Sequence, residues 1–168
     1  FVEHMGFNGS AHFKKHELVS YLQSIGVRFG ADVNAHTGYD ETVYQLSVPT
    51  GKQEYVDKGF LVLSDWAQGM SFDPDAIDAE RGVILEEGRL RNSAAYRMHR
   101  SLTTNWFFGL GESRYAKRVP IGKEDIIKNA PPEALRRFYK DWYRPDLMAV
   151  VVVGDIDPAA AEKMIETH

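Results

Sequence analysis

The chain has 168 residues, 43% of them hydrophobic and 12% aromatic, enough to bury one core and to read as a single globular domain. Its 20 Lys and Arg and 24 Asp and Glu are scattered and sum to a net charge of -4, so no basic stripe is available to neutralise phosphates and nucleic acid is not expected as a partner. Cysteine is absent, which excludes disulfides and thiolate metal sites and leaves His, Asp and Glu as the strong ligands, and no apolar run is long enough to span a membrane.

The stretch HFKKHELVSYLQSIG carries Leu18, Val19 and Leu22 at helical spacing and stops at Gly26, a usual C-terminal residue, so it predicts a short surface helix. In VNAHTGYDETVYQLSVP, Thr42, Tyr44, Leu46 and Val48 alternate, which predicts two strands of an antiparallel hairpin turning near Gly38 and Tyr39. KQEYVDKGFLVLSDWAQG places Val56, Phe60, Leu63 and Ala67 three or four residues apart, an apolar helical stripe. From Asp73 and Pro74, an N-cap and first-turn pair, the helical pattern can run on through Leu102, making this the longest element. PPEALRRFYKDWY predicts another helix whose Arg and aromatic residues pack the core, and LMAVVVVGDID predicts a central strand. Helices and strands alternate without repeats, so the predicted class is α+β, with an antiparallel-rich sheet and helices packed mainly on one face.

The long helix contains a local conflict. Its apolar stripe runs through Ile77, Val83, Ile84 and Leu90, and Glu80 and Glu87, seven residues apart, fall on the same side. A carboxylate turned inward needs a cation, a donor network or a water-filled cleft. The bland readings are a structural ion pair with Arg81 or Arg91, or a helix that rotates both carboxylates to solvent; the sharp one is a metal ligand and its neighbour. The opening FVEHMGFNG adds Glu3 and His4; preceded by a His it would read H-F-V-E-H, the inverted zinc motif in which two His one turn apart bind zinc and Glu activates water.

The segments FVEHMGFNGSAHF, FGADVNAHTGYDETVYQLSVP, FDPDAIDAERGVILEEGRL, PIGKEDI and FYKDWYRPDLMAVVVVGDID, in this order, resemble the N-terminal half-domain of the pitrilysin/insulinase-type (M16) zinc peptidases, a fold of the LuxS/MPP-like type. The resemblance covers nearly the whole chain. It implies a Zn²⁺-dependent endopeptidase half-domain over residues 1–168 that cleaves unstructured peptides. It also implies His4 and Glu87 as metal ligands, Glu3 as general base, and Glu80 as the acidic residue that supports the site. Glu86 is adjacent on the helix but points elsewhere. Asn34, Ala35, His36 and Thr37 match the strand to which an extended peptide substrate adds. A second, related half-domain on the same or another chain is the expected protein partner, and the likeness to bacterial members favours the periplasm. By this resemblance the first zinc histidine would immediately precede Phe1, so the chain is expected to begin inside its own catalytic helix, to bind zinc weakly with two of three ligands, and to be inactive alone.

The remaining histidines fall outside this pattern. His12 and His16 are four apart but straddle Lys14 and Lys15, which favours a solvated face; His36 is a candidate for a specificity pocket; His99 and His168 carry no case. Two other readings compete: a non-catalytic M16-like structural subunit, against which the joint presence of Glu3, His4, Glu80 and Glu87 weighs, and a plain α+β binding module with a buried ion-pair network.

Overall fold

The structure is a computed structural model and describes residues 1–107 and 112–168. The elements run α1 (Val2–Met5), α2 (Glu17–Ser24), β1 (Val33–Thr37), β2 (Thr42–Leu46), α3 (Gln53–Gln68), α4 (Pro74–Leu90), α5 (Ala94–Leu102), a π turn (Thr103–Phe107), α6 (Glu124–Asn129), α7 (Pro132–Trp142), a 3₁₀ turn (Pro145–Leu147) and α8 (Pro158–Thr167). The class is α+β, as the alternating pattern predicts, and the sheet of the described residues is one antiparallel hairpin, β1 against β2.

Alternation decides which face of that hairpin is covered. Thr42 and Tyr44 lie on one side of β2, and both are taken up by helices: the Tyr44 ring stacks on Trp66 of α3 at 5.1 Å, and the Tyr143 hydroxyl after α7 donates to Thr42 Oγ1 at 2.7 Å. Across the register, Val33 of β1 is fully buried on the same side, while Asn34 and His36 are exposed. Met5, Leu22, Val62, Trp66, Phe72 and Ile77 form the centre of the core.

Local signals explain several helix ends. Gly26, at φ +90°, ends α2, with Val27 N–H donating to Leu22 O and Gly26 N–H to Gln23 O, the paired bonds of a left-handed terminus. Asp73 accepts from the Ala76 N–H at 3.0 Å with Pro74 in the first turn of α4, as the sequence predicts. The helical pattern does not run unbroken to Leu102, because Asn92 and Ser93 interrupt it and the Ser93 side chain caps α5 by accepting from Tyr96 N–H.

Three expectations change. On α3, Phe60 of the Val56, Phe60, Leu63, Ala67 stripe is buried while the other three are half-buried, and Gly59, Val62, Asp65 and Trp66 complete the buried face: a Cβ at Gly59 would come within 3.3 Å of Val48, so the helix seats against the end of the hairpin at its smallest residue. On α4, Ala76, Ile77 and Ile84 are buried, whereas Val83 and Leu90 are exposed. The Leu147–Asp157 run is not a central strand. Among the described residues nothing pairs with it, and Val151 and Val153 are 82% and 91% exposed, since a strand exists only where a neighbour completes its ladder.

His12 is exposed, as expected, but it is not merely solvated. Asp65 of α3 is buried, and it accepts from the Ser10 hydroxyl at 2.5 Å, from the His12 N–H at 3.1 Å and pairs with His12 Nδ1 at 2.7 Å. One inward carboxylate therefore ties the loop after α1 to the end of α3. His16 starts α2 in the left-handed region, φ 69°, and makes no helical metal pair with His12.

Candidate metal centre

Helix α1 is only four residues long, too short to be stable by its own hydrogen bonds, so its placement depends on tertiary partners. Met5 and Val2 are buried beneath it. Three side chains then hold its carbonyls: the Tyr44 hydroxyl donates to Val2 O at 3.0 Å, Trp66 Nε1–H donates to Gly6 O at 2.8 Å, and Asn8 Nδ2 donates to His4 O at 3.0 Å. Burial pushes the Tyr44 hydroxyl well above its ordinary pKa, so it remains a donor. Gly6 is required for the close approach, because a Cβ there would lie 2.7 Å from Tyr44 Cε1 and 3.3 Å from Trp66 Cδ1.

This anchoring presents His4 to α4. His4 Nδ1 meets Glu80 Oε1 at 2.7 Å, and the second Glu80 oxygen accepts from Asn8 Nδ2 at 3.0 Å. The other ring nitrogen, Nε2, faces Glu87 Oε2 at 3.3 Å, and Glu87 Oε1 pairs with Arg91 at 2.5 Å. The hydrogen bond to Glu80 raises the His4 pKa, and the same bond, helped by Asn8, lowers that of Glu80. Both carboxylates are only half-buried. Glu3, one residue before His4, extends toward the hairpin, where its Oε2 accepts from the Thr37 hydroxyl.

The ion-pair reading of the inward carboxylates is realised in part. Arg91 does pair with Glu87, but Arg81 does not serve Glu80: its guanidinium bonds to Asp78 and to the carbonyls of Ile127 and Ala130, fastening α4 to the loop after α6. Glu86 pairs with Arg89, away from His4.

The donor set fits part of a zinc site. With Nδ1–H donated to Glu80, the lone pair of Nε2 points toward a carboxylate oxygen, an arrangement that needs a proton or a cation between them. Two ligands bonded at ~2.0–2.1 Å to a tetrahedral ion lie about 3.3 Å apart, which matches the His4 Nε2 to Glu87 Oε2 gap. A carboxylate behind the ligating imidazole is the usual way its tautomer is set. Among the described residues no group of three or more His, Asp or Glu is arranged to hold a metal, so His4 and Glu87 are two candidate ligands and not a closed site.

The strand beside Glu3 has a recognisable edge. Ser47 N–H donates to Asp32 O at 2.6 Å and Gly38 N–H to Glu41 O at 2.8 Å, so with the observed register residues 34 and 36 exchange bonds with β2. The main-chain groups of 33, 35 and 37 therefore face the other edge. Val33 is engaged there by Arg28 O and Gly30 N–H, and the Ala35 N–H donates to its neighbour's side chain, Asn34 Oδ1, at 2.9 Å. Beyond Val33, no strand among the described residues pairs with this edge. His36 lies on the face away from Glu3, so it does not share the side on which Thr37 meets the carboxylate.

Asn8, Thr37 through its hydroxyl, Tyr44 and Trp66 are the contributors that sequence reasoning missed. Asn8 lies one turn beyond His4, which is the one local signal that marks it.

Comparison with known proteins connects this geometry to a family. The pattern of the insulinase family (peptidase family M16) matches residues 1–114, and that of the peptidase M16 inactive domain matches residues 129–168. The chain is 41% identical over 168 residues to the probable zinc protease PqqL of Escherichia coli, all of this chain against 18% of that protein. It is 31% identical over 160 residues to the chloroplastic stromal processing peptidase of Oryza sativa subsp. japonica, 93% of this chain and 12% of that one. The crystal structure of the first half of the periplasmic protease PqqL from Escherichia coli superposes with a TM-score of 0.91 at 39% identity, covering 99% of this chain and 35% of that one. The chain thus spans less than a fifth of the length of the PqqL and PqqL-like relatives it matches.

Proposed function

Because the chain belongs to the insulinase family of peptidases, peptidase family M16, whose members matched here are named zinc proteases and processing peptidases, we propose that it is the metal-binding half-domain of a zinc endopeptidase that cleaves unstructured peptides. The observation that carries this reading is the meeting of His4 Nε2 and Glu87 Oε2 at ligand-edge distance, with Glu80 behind the ring and Glu3 alongside.

In this reading His4 and Glu87 hold Zn²⁺. A third protein ligand is needed to close the site. Zn²⁺ held there would supply Lewis acidity toward a carbonyl oxygen and water. Glu80 fixes the Nδ1–H tautomer of His4 and keeps Nε2 free to ligate. Glu3 accepts the proton of the attacking water on its carboxylate and returns it to the leaving amine. The substrate lies as an added strand along β1, where the main chain of Ala35 and Thr37 faces outward and Asn34 and His36 flank the path. Asn34 Oδ1 must release the Ala35 N–H when a peptide pairs there. A second half-domain completes the substrate chamber, as the name "first half" of the PqqL structure suggests, and a periplasmic location follows the description of that protease.

The test compares the complete gene product with its His4→Ala variant for zinc content and for cleavage of an unstructured peptide. Loss of both is expected. Undiminished cleavage by a zinc-free variant overturns the reading. The alternative, a non-catalytic M16-like subunit, draws on the presence of only two ligands among the described residues, and a complete product that binds zinc yet cleaves no peptide would establish it.

A further inference from the structure

We propose that Thr37 is a positioning residue for Glu3, its hydroxyl fixing one carboxylate oxygen so that the other is aimed at the water; this rests on the reading of Glu3 as general base. Thr37 is the last residue of β1, 34 positions from Glu3, and its Oγ1 donates to Glu3 Oε2. It stands opposite Thr42 at a register position whose side chains share the face turned to α1, whereas those of Asn34 and His36 point away.

Both ends of the contact are anchored independently of it. Tyr143 holds Thr42 across the ladder, and Tyr44 holds the Val2 carbonyl next to Glu3. The hydroxyl therefore sits on a fixed strand and meets the base on a fixed helix.

The chemistry favours a threonine. A glutamate side chain left free spreads over many rotamers, and ordering it during each turnover lowers the fraction of productive encounters. A β-branched donor has few χ1 choices, and an O–H bonded to a carboxylate is charge-assisted, so this one contact restricts the carboxylate end of the side chain. The bond also survives the proton cycle. When Glu3 takes a proton on Oε1, Oε2 becomes the carbonyl-like oxygen and still accepts from Thr37. Because the main chain of Thr37 faces the open edge of β1, the same residue joins the path of an added peptide strand to the base that serves its cleavage.

The experiment uses the complete gene product as wild type, Thr37→Val, Thr37→Ser, Glu3→Gln and the Thr37→Val/Glu3→Gln double variant. Zinc affinity, kcat and KM on an unstructured peptide, and crystal structures of the metal-free wild type and Thr37→Val proteins are the readouts. Thr37→Val is expected to lower kcat by roughly 10- to 100-fold with KM and zinc affinity within about threefold, and Thr37→Ser to recover most of the loss. In the double variant the valine should add no further loss, and in the metal-free Thr37→Val crystal the Glu3 carboxylate should leave its wild-type place. A change in KM alone, a loss that serine does not restore, an equal further loss in the double variant, or an unmoved Glu3 each overturns the proposal. Normal turnover in Glu3→Gln overturns instead the assignment of the base on which it rests.

Discussion

Glu80 and His4, 76 residues apart in sequence, meet at 2.7 Å through Oε1 and Nδ1, and that bond is what turns the other ring nitrogen toward Glu87. In the proposed reading Glu80 thus holds no ligand position of its own yet governs one. Replacing it by Gln should weaken zinc binding by the complete gene product about 10- to 100-fold, because the amide orients the ring less firmly. Glu87→Gln should cost more, since it removes a ligand. Competition titration against a chromophoric chelator orders the two, and equal affinity in Glu80→Gln and wild type would remove its orienting role.

Glu3→Gln should separate binding from turnover. The amide cannot accept the proton of water, so cleavage of an unstructured peptide should fall by roughly 10²- to 10⁴-fold while zinc content stays at the wild-type level. Loss of zinc in this variant would recast Glu3 as part of the metal-holding set.

The metal-free protein should carry a pH signature of the His4–Glu80 pair. The His4 pKa is raised from 6.5, so its contribution to stability is fully present below 6.5 and disappears as pH rises through the raised value. The Glu80 pKa is lowered from 4.5, so its contribution is present above 4.5 and disappears as pH falls through the lowered value. The two overlap between 4.5 and 6.5. Across a pH series, the difference in Tm between wild type and Glu80→Gln, both metal-free, should be greatest in that window and shrink on either side. A difference that grows steadily toward alkaline pH contradicts the pairing.

Gly6→Ala should destabilise the protein by about 1–3 kcal/mol, because the new methyl carbon meets Tyr44 Cε1 at 2.7 Å and neither ring of the Tyr44–Trp66 stack can retreat without breaking its bond to α1. Urea unfolding measures it. Gly26→Ala, in open space but at φ +90°, is the comparison in which strain is confined to the backbone.

The hairpin, α3, the start of α4 and α7 were legible because each is announced within one window: alternation from Thr42 to Leu46, a Pro at the first turn, a Gly at the end. Glu80 and Glu87 were visible as a conflict within a helical period. What that period could not disclose is which partner answers the conflict, since His4 arrives from 76 residues away on a helix of four residues. The roles of Glu3, His4 and the β1 strand came from resemblance, not from spacing. Asp65 escaped notice because a lone Asp in an amphipathic helix looks like its polar face, and its donors Ser10 and His12 lie more than 50 positions away. Valines 150–153 misled for the complementary reason: β-propensity describes a fit to a neighbour, and none of the described residues supplies one.

Those valines bear on handling. From Leu147 to Val153 the chain runs seven residues without a charge, a proline or a glycine, and its side chains from Val150 onward stand largely in water. Such a segment is a template for stacking between molecules, and its flanks are the only brake: the Arg144–Asp146 pair on one side, Gly154 and Asp155 on the other. Purified as these 168 residues alone, the polypeptide is expected to self-associate through this segment more readily as concentration or ionic strength rises, which thioflavin fluorescence against concentration and salt would check.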